Sequence, residues 1–97
     1  IKPDYAMAHS NLGIILRDLG KLQEAEFSYR KAIEIKSDFS EAHLNLGNIL
    51  RDLGKLKEAE LSTRKAIEIN PNFANAHYNL GNIFRDLGIS KCMKEFI

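Results

Sequence analysis

Three histidines, His9, His43 and His77, recur at an interval of 34 residues, and the same interval separates Asn11, Asn45 and Asn79. Arg17, Arg51 and Arg85 keep that spacing as well, as do Asp18, Asp52 and Asp86. Imidazole, carboxamide, guanidinium and carboxylate groups can ligate metals, move protons or grip polar ligands. For a metal the spacing is wrong. Equivalent residues on stacked helices lie about 8 to 10 Å apart, whereas zinc-bound nitrogens each sit about 2.0 to 2.1 Å from one shared ion. The histidines therefore read as packing residues, and Cys92 as a free, semi-buried thiol. No nucleophile elbow, phosphate loop or paired-carboxylate motif occurs in the chain. No catalytic residue, cofactor or metal is expected, and the chain reads as a non-enzyme.

What must position these residues is a repeated unit. The stretch His43-Leu44-Asn45-Leu46-Gly47-Asn48-Ile49-Leu50-Arg51-Asp52-Leu53-Gly54 has counterparts at His9–Gly20 and His77–Gly88. A fixed period in the range of about 20 to 50 residues is the mark of a solenoid or array. All six glycines occupy two repeat phases, 13/47/81 and 20/54/88, while Pro3 and Pro71 share a third phase with Ser37. In the second copy Ala42, His43, Leu46, Gly47, Leu50 and Leu53 recur at three- and four-residue steps, which predicts a helix with one buried face. Such helices are expected over roughly 5–19, 39–53 and 73–87. Asp4, Asp38 and Asn72 are placed to cap their starts, Asp38 with Glu41 at capping-box spacing, and Gly54 to end the second in the left-handed conformation.

A second helix follows in each of the first two copies, on Leu22, Ala25, Tyr29, Ala32 and Ile33 and on Leu56, Ala59, Ala66 and Ile67. Glu26 precedes Arg30 and Glu60 precedes Arg64 by one helical turn, the favourable order for ion pairs. Each helix pair is predicted to be an antiparallel hairpin. Glycine inside a helix costs about 1 kcal/mol relative to alanine. Gly13 and Gly47 therefore imply close approach of the paired helix, with Ala25 and Ala59 as the opposite wall. The third copy diverges: Ile89-Ser90-Lys91-Cys92-Met93 follows Gly88, and a short second helix is expected there.

These residues resemble the tetratricopeptide repeat family. Its pattern W-x₂-L-G-x₂-Y, A-x₃-F, P is matched by His43, Leu46, Gly47, Leu50, Ala59, Thr63 and Pro71, with His, Leu and Thr replacing the three aromatics. The resemblance implies an all-α, right-handed α-solenoid of antiparallel helix hairpins. The chain divides into residues 1–5 as the tail of a preceding repeat, 6–39 as repeat 1, 40–73 as repeat 2, and 74–97 as a truncated, divergent repeat 3. It begins in mid-repeat and lacks an initiator methionine, and so reads as part of a longer array.

Composition narrows the function. At 97 residues with 44% hydrophobic and 28% charged content the chain is one ordinary small domain. Its net charge of +1, from 14 basic and 13 acidic side chains, offers no general attraction to nucleic acid or membrane. No signal or membrane-spanning segment is legible, and a cytoplasmic location is expected.

The resemblance places the first helices along a concave groove. There Glu41, Asn45, Asn48 and Asp52 form one stripe, beside Asn75, Asn79, Asn82 and Asp86 and beside Met7, Asn11, Ile14 and Asp18. Carboxamides both donate and accept, so Asn11, Asn45 and Asn79 can read the backbone of an extended peptide, flanked by Arg17, Arg51, Arg85 and the aspartates, with Tyr78 on the same helices. The asparagine phase is similar to the ladder of O-linked N-acetylglucosamine transferase superhelices. The carboxylate clamp of chaperone-binding members is not matched, because Ser10, Leu44, Tyr78, Ile14 and Asn48 stand where it needs lysine and arginine. Two alternatives stand beside the peptide reading: the asparagines are merely solvated, and Arg51 pairs with Asp18 or Asp86 of a neighbouring repeat.

The expected role is a protein-interaction scaffold with a protein or peptide partner. The alternatives are the substrate-recruiting array of a larger enzyme, such as a glycosyltransferase, and a self-assembly module. Self-association is expected as a homodimer through Ile89, Met93, Phe96 and Ile97.

Overall fold

The computed structural model describes residues 3–96, with side chains for 5–88. Five helices follow in order, α1 (Pro3–Asp18), α2 (Leu22–Ile35), α3 (Ser40–Asp52), α4 (Leu56–Ile69) and α5 (Ala74–Phe96), and no strand occurs among the described residues. The chain is an all-α solenoid: α1 packs on α2, α3 on α4, and each pair on its neighbour. Its extents of 50 × 30 × 18 Å are those of a slab, so the core is a layer between helices and not a central sphere.

Within the first two repeats the close approach is as the interior glycines imply, with larger side chains added to the opposite wall. A Cβ on Gly13 would meet the Tyr29 ring at 2.7 to 2.9 Å, and one on Gly47 would meet Thr63 Oγ1 and, at 3.3 Å, the Ala59 carbonyl. Tyr29 and Thr63 thus make the nearest contacts; Ala59 joins the wall through its carbonyl as expected, whereas fully buried Ala25 lies one turn before Tyr29. The packing layer continues through Leu46, Ile49, Leu50 and Ile83.

The hairpin turns are built alike. Gly20 and Gly54 have φ of 78° and 80°, in the left-handed region that glycine enters at little cost. Their turns are closed by Lys21 N–H to the Leu16 carbonyl and Lys55 N–H to the Leu50 carbonyl, both 2.8 Å, the Schellman arrangement.

Two expectations need correction. No side chain caps α3: the residue before it is Phe39, and no side-chain hydrogen bond forms there. Asp4 lies inside α1, and Asn72 lies in the turn ahead of α5. Instead, the turn is tied to the helix by histidine. His43 Nε2 donates to the Ser37 carbonyl at 2.9 Å and His77 Nε2 to the Pro71 carbonyl at 2.7 Å, a carbonyl being able only to accept.

The second correction is that α5 does not end at Gly88. It runs straight through to Phe96, and Gly88 is not in the left-handed region. Glycine permits that conformation without compelling it, and the reversal at Gly20 and Gly54 is held by a returning helix that packs small alanines against the first. The third copy has Met93 at the alanine phase, and among the described residues a Cβ on Gly81 would meet nothing within 4 Å, where those on Gly13 and Gly47 would meet the paired helix. The side chains of Ile89, Met93, Phe96 and Ile97, and the Cys92 thiol, lie outside the described residues.

One substitution should have opposite effects at the two positions. Gly54→Ala forces a side chain into the left-handed region and should cost about 1 to 2 kcal/mol. Gly88→Ala should be neutral or gain up to about 1 kcal/mol of helix stability. Thermal unfolding followed by circular dichroism distinguishes them, and equal losses in the two variants would restore a turn at Gly88.

Candidate functional site

Helices α1, α3 and α5 share one face of the solenoid, and hydrogen-bonded side chains link them in series. Arg17 on α1 reaches Asp52 on α3 at 3.2 Å, and Arg51 on α3 bonds Asp86 on α5 at 2.6 Å. Each arginine thus reaches forward to the aspartate of the next repeat. The second pair is about one-third exposed and the first more so. The hydrogen bond from Arg51 holds the Asp86 carboxyl below the usual carboxylate range, and the same bond raises the Arg51 guanidinium. Of the two pairings open to Arg51 in the sequence, the structure contains the one with Asp86. Asp18 and Arg85 stand exposed at the two ends of the series.

The asparagines occupy the same face. Asn11 is exposed, Asn45, Asn48, Asn79 and Asn82 are half-buried, and Tyr78 is 72% exposed. Asn79 Nδ2 donates to Asn48 Oδ1 across the junction of α5 with α3 at 2.9 Å. The equivalent bond from Asn45 toward α1 has no acceptor, because Ile14 holds the phase of Asn48. In its place is a cavity of about 290 Å³ between α1 and α3. Met7, Ile14 and Phe39 line it with apolar atoms, beside Asn11 and Asn45. Phe39 and Lys36 come from the connection between α2 and α3, outside any helical stripe. The recurrence of aromatics at Tyr5, Phe39 and Phe73 was the signal that could have found Phe39.

The histidines are not alike. His43 is 8% exposed and packed, as expected, whereas His77 is exposed, and among the described residues no helix follows α5 to cover it. Among the described residues no three His, Cys, Asp or Glu side chains gather where they could hold a metal ion.

The outer face has its own links. Glu26 accepts from Arg30 at 2.9 Å, and its carboxylate lies 3.4 Å from Lys55 Nζ in the next repeat. Partial burial pushes its carboxyl up, but the Arg30 hydrogen bond and the charges of Arg30 and Lys55 outweigh this and leave it lowered. Glu60 and Arg64 pair at 2.9 Å as their spacing predicts.

Helix hairpins stacked at a fixed period, with a glycine at the crossing and another at the turn, define a helical-repeat solenoid. Family models for the tetratricopeptide repeat match residues 6–39 and 28–60, and a model for the TPR repeat matches residues 47–88. The chain belongs to the tetratricopeptide repeat family, whose members serve in general as protein-interaction scaffolds. Among solved structures, the crystal structure of MamA superimposes with a TM-score of 0.84 at 24% identity over 90% of this chain. The chain spans about half, 51%, of the MamA chain, and the likeness is one of fold. The curated proteins yield no match. No helix among the described residues is long and apolar enough to cross a membrane.

The lowered Asp86 carboxyl gives a pH dependence of definite sign. A depressed folded-state value contributes stability above the ordinary aspartate pKa of about 3.9 and loses it as the pH falls through the folded value. Asp86→Asn should therefore lower the melting temperature at pH 7 and narrow its difference from the wild type as acid is added. A gap that stays constant down to pH 2 would show that the pair carries no linkage.

Proposed function

We propose that this chain is a non-catalytic scaffold that holds an extended peptide along the face formed by α1, α3 and α5. The observation that carries this reading is the alignment of Asn11, Asn45 and Asn79 on three successive helices of one face. Extended peptide advances about 3.3 Å per residue and neighbouring helices lie about 8 to 10 Å apart, so each repeat meets about three peptide residues. A carboxamide at that interval can donate to a peptide carbonyl and accept from a peptide N–H whatever the side chains are. Asn11 and Asn45 keep both capacities for a ligand, while Asn79 shares its amide with Asn48. Arg17, Arg51, Asp52 and Asp86 act between repeats in this reading and hold the helices at the spacing the peptide requires.

Each net hydrogen bond contributes about 0.5 to 1.5 kcal/mol, so removing two should weaken binding by about 5- to 150-fold. Asn45→Ala combined with Asn79→Ala should show that loss toward a fluorescein-labelled Ala/Ser dodecapeptide in anisotropy titrations. Equal affinity for wild type and double variant, with both folded by circular dichroism, would remove the asparagines from the binding function.

A further inference from the structure

We infer that the cavity between α1 and α3 binds one free α-amino acid with an apolar side chain, held as its zwitterion. The two complete repeats, 6–39 and 40–73, differ at ten positions. Four of those ten are among the six residues that the first repeat contributes to the cavity: Met7 against Glu41, Ser10 against Leu44, Ile14 against Asn48, and Lys36 against Asn70. The other six differences are spread over the remaining 28 positions, so divergence between the repeats gathers at the cavity.

The lining combines three kinds of contact. Lys36 and Glu41 bring one charge of each sign, and neither enters an ion pair among the described residues. Ser10, Asn11 and Asn45 bring hydroxyl and carboxamide groups. Met7, Ile14 and Phe39 form an apolar wall, on which Met7 is 55% and Ile14 45% exposed. A neutral occupant would strip water from both charges without replacing it, and an occupant of one sign would satisfy one charge and oppose the other. An α-amino acid carries both signs. Its carboxylate meets the Lys36 ammonium, its ammonium meets the Glu41 carboxylate, and the carboxamides take the remaining donors and acceptors, while its side chain lies on the apolar wall. At about 290 Å³ the cavity stands at the small end of ligand sites, which run from about 300 to 1,000 Å³, and suits a single amino acid with a few waters.

The next junction lacks these means. There Asn70, Leu44 and Asn75 hold the phases of Lys36, Ser10 and Glu41, and Asn48 accepts from Asn79. One amino acid per chain is therefore the expected stoichiometry. This ligand is independent of the peptide proposed above, although the two would share Asn11 and Asn45.

Three probes of similar size test the assignment: leucine, N-acetyl-leucine, which keeps the carboxylate alone, and leucinamide, which keeps the ammonium alone. Each is titrated into the isotope-labelled chain and followed by amide chemical shifts. Leucine should saturate at one molecule per chain with shifts at Met7, Ile14, Phe39 and Asn45. The other two should bind about tenfold more weakly, since each loses a hydrogen-bonded charge. Lys36→Met should lower leucine affinity about tenfold and leave that of leucinamide unchanged, while Glu41→Gln should lower leucine affinity likewise and leave that of N-acetyl-leucine unchanged. Both side chains are exposed, so a general change of fold is not expected from either variant. Loss of all three probes alike in a variant would mark such a change and overturn the assigned contacts. Absence of shifts at about 50 mM leucine, enough to saturate a millimolar site, would overturn the assignment, as would equal affinity for the three probes. N-acetyl-leucine binding as well as leucine would put the last residue of a peptide in the cavity, and leucinamide doing so would put the first; either result overturns the free amino acid.

Discussion

The missing Cβ at Gly13 and Gly47 is the constraint on which the architecture depends. Without it the second helix of each repeat approaches until the Tyr29 ring or Thr63 fills the space a methyl group would occupy. That contact sets the distance between paired helices, and the distance sets how short the connecting turn must be. The turn then requires a left-handed residue, which Gly20 and Gly54 supply. A helix glycine that costs about 1 kcal/mol in isolation is therefore the condition for burying Ala25, Ala59 and Leu50 completely.

Where that contact is missing, the rest of the unit changes with it. Among the described residues nothing lies within 4 Å of the place a Cβ on Gly81 would take, His77 is exposed where His43 is covered, and Gly88 remains helical. The first two repeats and the third share their first-helix sequence closely, so the difference arises from the residues beyond Gly88. A turn glycine acts as a turn only when a helix with small residues is available to return.

Much of this was legible because a repeat restates the same pattern. The helices of the first two repeats, the turns at Gly20 and Gly54 and the pairs Glu26–Arg30 and Glu60–Arg64 came from spacing alone, whereas the side-by-side placement of the asparagines came from the family resemblance. Side-chain choices between equivalent partners came from neither. Arg51 could reach a neighbour on either side, and only the packed geometry places Asp86 within 2.6 Å. The capping role expected of Asp38 failed because the turn before α3 is held by the His43 imidazole, a contact from within the helix that local propensity does not encode. The cavity beside Asn45 was hidden for a related reason, since Phe39 and Lys36 enter it from a connection and not from a helical stripe.

The forward reach of each arginine gives the solenoid a set of mechanical struts. Arg17–Asp52 and Arg51–Asp86 lie on one face, so unwinding that opens this face stretches them, while the Glu26–Lys55 pair on the outer face is stretched by bending the other way. The chain is then a spring braced by charge on both sides. Both struts are partly open to water, so dissolved ions weaken them and soften the spring on that side. Its pitch, and with it the spacing offered along the asparagine face, becomes a property of the surrounding electrolyte as well as of the fold.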